Sequence, residues 1–298
     1  MVSNHLFESA MRHALKLALN GPAYGVNPQV GAGILDNEGQ VVAEGWHMGS
    51  GSPHAEIVAL ENAREKFGFQ SKFPEGYTAV VTLEPCNHTG KTGPCSHAIL
   101  EAGISRVVYA SNDPGEDSSG GGKFLKKQGV EVIKGMLKSE ADDQARHWIR
   151  ATKQQRPFVT IKYASTLDGR GAAQDGSSQW ISGPESRADA HRRRSEVDAI
   201  LVGTGTAIFD DPELTARRPD GSYFDHQPIR VVVGERELPS DLKLFNDRAE
   251  TIVLPTQSLQ EAMTELWEKG VRHVLVEGGP NVASKFIKQF SHNMSCHG

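Results

Sequence analysis

Apolar residues recur at helical spacing over the first twenty positions: Leu6, Phe7, Ala10, Met11, Ala14, Leu15 and Ala18, with His, Arg, Glu and Lys between them. The pattern predicts a docked amphipathic helix rather than a signal peptide, with Ser3 as its N-cap and Gly21 as its stop. Beyond it the period alternates. VGAGILD (30–36) and VVAEG (41–45) read as a hairpin turned by Asn37, Glu38 and Gly39. Residues 54–67 read as a helix, 77–83 as a buried strand, 94–102 as a helix ending near Gly103, and 106–110 and 129–133 as further strands. A polar, charged helix is predicted over 138–153, followed by a turn at Arg156-Pro157.

The alternation then restarts. Strands are predicted at 158–164, 199–203, 229–233, 250–254 and 273–279, and helices at 185–195, 258–269 and 281–290. Strand–helix–strand repetition of this kind implies sheets covered by helices on both faces. Two α/β domains follow, 1–150 and 151–298, each with its own core. The tail SHNMSCHG has no apolar periodicity and reads as disordered, with Cys296 a free, unstructured thiol and the second sheet left with an open edge.

Composition sharpens this picture. A chain of 298 residues is long for one core and comfortable for two. No apolar run approaches the ~18 residues of a membrane span. The net charge of −5 lies in no long blocks, so neither nucleic acid nor membrane is expected as a partner. Three cysteines without a secretion signal argue for a reducing cytoplasm and for metal ligation or inert filling, not for disulfides.

Two stretches carry candidate chemistry: PHAEIVAL (53–60) and EPCNHTGKTGPC (84–95). A hydrolytic zinc site takes three protein ligands and keeps one position open for water, whose pKa then falls toward ~7. His54, Cys86 and Cys95 supply that count. Glu56, two residues from a ligand and in the first turn of a helix, is placed to carry protons. The order His-x-Glu then Pro-Cys then Cys is that of zinc deaminases, here with eight residues between the cysteines instead of two. Gly90 and Gly93 allow the longer loop to fold back, and Cys95 after Pro94 can sit in a first helical turn, where the dipole favours a thiolate. Two alternatives stand beside this. The cysteines could be small buried hydrophobes with His54 a helix-start residue, or zinc could be structural, closed by His88 or His97. Otherwise His88 and His97 are pocket or helix-surface residues.

In the second half, Gly203-Thr204-Gly205-Thr206 and Gly278-Gly279-Pro280 each follow a strand. Neither is a full dinucleotide fingerprint, and both also fit tight strand–helix turns. Ser118, Ser119, Gly120, Gly121 and Gly122 open a predicted helix, and their backbone N–H groups form a candidate anion nest, with a plain flexible loop as the alternative.

Taken in order, NPQVGAGIL, PHAEIVAL, TLEPCNHTGKTGPC, STLDGR, SQWIS, DDPELTAR and VEGGP resemble the bifunctional riboflavin-biosynthesis deaminase–reductase family across nearly the whole chain. The resemblance implies an α/β fold: a cytidine-deaminase-like α/β/α sandwich followed by a dihydrofolate-reductase-like α/β domain, incomplete at its C-terminus because the family's reductase usually continues further. It implies zinc on His54, Cys86 and Cys95, Glu56 as proton carrier, and Asn27, His47 and Lys91 at the substrate, a diamino-pyrimidinone ribosylamine 5′-phosphate. In the second domain it implies NADPH against Ala164, Trp180, Thr206, Asp210, Gly279, Pro280 and Asn281. Substrate would meet Ser178, Arg194, Leu214, Arg217 and Glu277, with Arg194 and Arg217 on its phosphate. A homodimer is expected. Departures from the family pattern fall at Val26-Asn27-Pro28, at Asp113-Pro114-Gly115-Glu116, where an amide is lost, and at Gly234-Glu235. The alternative to the bifunctional enzyme is a deaminase whose shortened second half does not reduce.

Overall fold

The computed structural model describes residues 4–68, 72–88, 93–166, 168–171, 181–290 and, for the backbone alone, 294–297. The chain divides into two compact units, Met1–Lys153 and Gln154–Gly298. Among the described residues no helix is long and apolar enough to cross a membrane.

The first unit is built on a five-stranded sheet: β1 (Gly31–Leu35), β2 (Val41–Trp46), β3 (Thr78–Leu83), β4 (Arg106–Ser111) and β5 (Glu131–Lys134), in the order β2-β1-β3-β4-β5. The hairpin and the β1–β3 pair are antiparallel; β3–β4 and β4–β5 are parallel. Strand alternation sends the two sides of each strand into different cores. Ile34, Ala79, Val81, Val107 and Tyr109 pack with α2 (Ala55–Phe67), α3 (Cys95–Glu101) and α4 (Gly121–Lys127) through Ala59, Leu60, Ile99 and Leu125. Leu35, Val80, Val108 and Ala110 meet α1 (Asn4–Ala18) through Phe7, Met11 and Leu15. The result is a helix–sheet–helix sandwich. Ser3, the expected cap of α1, lies outside the described residues.

The predicted 138–153 helix is interrupted. It forms α5 (Lys138–Gln144) and α6 (Arg146–Gln154), broken at Ala145, where φ −92° and ψ 12° leave the helical region.

The second unit holds a parallel sheet, β6 (Phe158–Lys162), β7 (Ala199–Gly203), β8 (Ile229–Val233), β9 (Thr251–Leu254), β10 (His273–Val276) and β11 (Met294–His297), in the order β11-β6-β10-β7-β8-β9. One face packs on α9 (Leu259–Glu268) and α10 (Pro280–Phe290) through Met263, Leu266, Phe286 and Phe290. The other meets Ala207 of α8 (Thr204–Asp210) and Leu214, Leu242 and Leu244. The remaining helix, α7 (Pro184–Arg194), buries none of its residues fully.

The tail corrects the expectation of disorder. Met294–His297 pair in parallel with β6, Cys296 opposite Ile161. An edge strand needs only a free row of backbone donors and acceptors, so this pairing leaves no mark in side-chain periodicity.

Candidate active sites

His54 occupies the N-cap of α2 with extended backbone (φ −70°, ψ 159°), and Glu56 follows in the first turn, 5% exposed. Their depth is set by Gly45 on β2. A Cβ there would lie 2.4 Å from the Ala55 carbonyl oxygen, so only glycine lets the start of α2 lie flush on the sheet. Cys86 follows the C-terminal end of β3, and Cys95 is the first residue of α3, fully buried. The backbone N–H of Cys95 donates to Cys86 Sγ at 3.4 Å.

His54 Nδ1 lies 3.6 Å from Cys86 Sγ and 3.3 Å from Cys95 Sγ, and the three donor atoms are all within 4.8 Å of one another. Tetrahedral zinc, at about 2.3 Å from sulfur and 2.0 Å from nitrogen, separates such ligands by about 3.5–3.8 Å. The donor set and its spacing therefore fit zinc. Among the described residues the cluster ends at three, which disfavours a closed structural site. His97 is stacked on Phe124 at 4.4 Å and is spoken for; His88 lines the adjoining cavity, its Nδ1 buried without a partner. The cysteine pair shares one proton unequally. The Cys95 thiol donating to it pulls the Cys86 thiol down to about 4, while the same bond and burial push that of Cys95 up. Burial first, and then the Cys86 charge, push the Glu56 carboxyl up to about 7.

His54, Glu56 and Cys86 border a cavity of about 370 Å³, within the range of small-molecule sites, with Cys95 buried behind them. Asn27 and His47 stand in its wall. The Pro53 carbonyl can only accept, so its contact at 3.0 Å fixes a proton on His47 Nδ1. Nε2 is then free to accept from Asn27 Nδ2 at 2.9 Å. Burial lowers the His47 pKa and keeps the ring neutral, so the Asn27 amide is held in one orientation. Lys91 lies outside the described residues. Asp113, Gly115 and Glu116, where the chain departs from the family pattern, and Ser118 also line the cavity, as do Glu84, Asp117 and Trp148, which the sequence did not single out.

The candidate anion nest is not free. Gly122 N–H donates to Glu84 Oε1 at 3.1 Å, so a carboxylate of the chain already fills it. A Cβ on Gly121 would lie 1.9 Å from the Pro85 carbonyl oxygen. Gly121 therefore serves close packing beside Cys86.

In the second unit the C-terminal ends of β6 and β10 bring Lys162 Nζ to 3.9 Å from Glu277 Oε2. Glu277 accepts two bonds from Arg194, from Nε at 2.7 Å and Nη2 at 2.8 Å, and Arg194 Nη1 donates to the Thr215 carbonyl. This corrects the expectation that Arg194 offers a free fork to phosphate: every arm of its guanidinium is engaged. Leu214 is limited in the same way. Its side chain is 3% exposed within the core, so only its backbone (φ 53°) can reach a ligand. Arg217 is 40% exposed beside Glu213 and remains available. Thr206 Oγ1 accepts from Gly279 N–H at 3.3 Å, which joins the turns after β7 and β10; Pro280 and Asn281 follow Gly279 as the first residues of α10. Ala164 follows β6, and Asp210 is exposed at the end of α8. Ser178 and Trp180 lie outside the described residues. Asp168 bonds Thr166 and Arg170 within its own turn, whereas Asp211 accepts from Lys243 N–H at 2.8 Å and ties the end of α8 to a distant loop.

Burial works against charge on Glu277, but Arg194 outweighs it and holds the carboxyl below its ordinary range. The folded pKa thus lies below the unfolded one. The stabilisation is complete above the unfolded carboxylate range, about 4.3, and is lost as pH falls through the folded value. Arg194→Ala is expected to destabilise the second unit by about 3–5 kcal/mol, the usual cost of stranding a buried charge. Urea unfolding checks both: Glu277→Gln should flatten the acid limb of the midpoint-against-pH curve.

The family model for the cytidine and deoxycytidylate deaminase zinc-binding region matches residues 5–111, and that for the RibD C-terminal domain matches 157–290. The riboflavin biosynthesis protein RibD of Mycobacterium tuberculosis is 45% identical over 88% of this chain and 75% of its own length. That of Aquifex aeolicus is 40% identical over 94% and 82%. The structure of a diaminohydroxyphosphoribosylaminopyrimidine deaminase/5-amino-6-(5-phosphoribosylamino)uracil reductase from Thermotoga maritima superposes with a TM-score of 0.85 at 37% identity, over 96% of this chain and 84% of that one. With a zinc-binding deaminase region, a reductase domain and relatives of this identity over most of its length, the chain belongs to the RibD family of bifunctional riboflavin-biosynthesis deaminase–reductases.

Proposed function

We propose that this chain carries out two steps of riboflavin biosynthesis on one ligand: hydrolytic removal of the 2-amino group of 2,5-diamino-6-(5-phosphoribosylamino)pyrimidin-4-one, then reduction of its ribosyl side chain to ribityl with NADPH. The observation that carries the first step is the His54–Cys86–Cys95 triad at zinc-ligand spacing, with the Glu56 carboxyl, pushed up to about 7, lining the same cavity as His54 and Cys86.

Zinc held by His54, Cys86 and Cys95 would supply a Lewis acid that makes water a nucleophile near neutral pH. Glu56 takes the proton of the attacking water and delivers protons to the ring nitrogen and the departing amine. Water oxygen bonds the C2 carbon, the C2–N bond breaks, and ammonia leaves. Asn27, held by His47, presents amide groups to the pyrimidinone, and Lys91 suits the phosphate.

For the second step NADPH would supply the hydride to C1′ of the ring-opened imine. Thr206, Gly279, Pro280 and Asn281 are the residues that would hold it, with Ala164, Trp180 and Asp210. The joined turns after β7 and β10 suit a pyrophosphate because α10 begins there and glycine permits close approach. Lys162 and Glu277 stand where sugar hydroxyls can be held, and Arg217 is available to the phosphate; the family resemblance adds Ser178 to the substrate contacts. The test is one assay on the zinc-loaded chain with the diamino-pyrimidinone substrate. Ammonia release followed by NADPH oxidation is expected. Ammonia without NADPH oxidation would remove the second step, and no ammonia would remove the first.

A further inference from the structure

Trp148 belongs to neither hydrophobic core of the first unit, yet it does not stand free. It is half-buried in α6, whose fully buried residues are Ile149 and Ala151. Trp148 lines the cavity that holds Glu56, His54 and Cys86. Its N–H donates to the Val26 carbonyl at 2.9 Å, one residue before Asn27. Two further observations bear on its role. The other aromatic rings among the described residues lining that cavity are imidazoles: His54 of the metal cluster, His47 bonded at both nitrogens, and His88. Also, α6 lies outside the matched deaminase zinc-binding region, which ends at residue 111.

We propose that Trp148 is a specificity-determining residue of the deaminase cavity: its indole is the wall on which a planar pyrimidine stacks. This rests on the deaminase function proposed for the same cavity. The physics favours the assignment. An indole presents a large, stiff apolar face with a single donor, and here the donor is engaged by the chain so that the face is left for a ligand. Stacking contributes to ground-state and reacting complexes alike, so its loss acts on KM more than on kcat.

The test uses the zinc-loaded full chain, with the diamino-pyrimidinone substrate for kinetics and bare 2,5,6-triaminopyrimidin-4-one for binding. Trp148→Ala should raise KM about tenfold or more, the scale seen when a base loses its stacking partner, with kcat and zinc content nearly unchanged. Trp148→Phe keeps a ring and should recover most of that loss. The triaminopyrimidinone should quench part of the tryptophan emission of the unmodified chain, and that part should be missing in Trp148→Phe; Trp46 and Trp267 have their own partners, Met48 and Arg272. An unchanged KM in Trp148→Ala, equal losses in the Ala and Phe variants, or quenching that persists in Trp148→Phe would each overturn the proposal. If Trp148→Ala fails to fold, the Phe variant and the quenching decide. An unmodified chain that releases no ammonia refutes the deaminase function itself, which is a separate outcome from an active chain indifferent to Trp148.

Discussion

Glu56→Ala is expected to retain its zinc and to lose ammonia release by about 10⁴-fold, the upper end of what a positioned acid–base group contributes. The carboxyl is buried, two residues from His54, and is not one of the three clustered donors. Its removal should therefore leave the metal cluster standing. Its pKa of about 7 arises because burial disfavours its charge and the Cys86 thiolate repels it, against an opposing pull from His54. A group that both accepts and returns protons works best near the operating pH, so this environment suits the task. Glu56→Gln keeps the shape and loses the proton chemistry, so it should be as inactive as the alanine variant. Zinc content by elemental analysis and ammonia release by a coupled assay read the two properties separately. An Ala or Gln variant of near-normal activity would refute the proton-carrier role.

Cys95→Ala should lose zinc and ammonia release together while NADPH oxidation with the deaminated substrate persists. Cys95 is fully buried at the start of α3, and its backbone N–H still meets Cys86 Sγ in the variant, so the helix should stand. What disappears is one of three donors. Outer-shell partners of metal sites already carry about 10- to 100-fold in affinity, and a direct ligand carries more. The second unit is untouched because its cores draw on residues 159–290 alone. Parallel loss of both activities would contradict this independence of the two sites.

Much of this was legible in the sequence because it rests on local period and local chemistry. The spacing Phe7, Met11, Leu15 marks α1, and the apolar runs at 78–83 and 199–203 mark strands buried on both faces. The His54/Glu56 pair at a helix start and Pro-Cys at a strand end fix the metal cluster, since each type has few other reasons to occur there. What stayed hidden depends on partners distant in sequence. Nothing local says that Arg194 is consumed by Glu277, eighty-three positions away. Lys162 could have been noticed as the polar end of the apolar strand FVTIK, and Trp148 as a lone indole in a charged helix. The Ser-Gly run at 118–122 offers donors, but whether a ligand or Glu84 fills them is decided by the fold. β11 forms through its backbone, so its sequence carries no period to read.

Zinc coordination, measured by X-ray absorption on the metal-loaded chain, tests the central claim most directly. Two sulfurs and one imidazole nitrogen are predicted, with the remaining position left to solvent and open to an added small anion. A second imidazole, lost on His88→Ala, would show a site closed by four side chains and contradict a hydrolytic role.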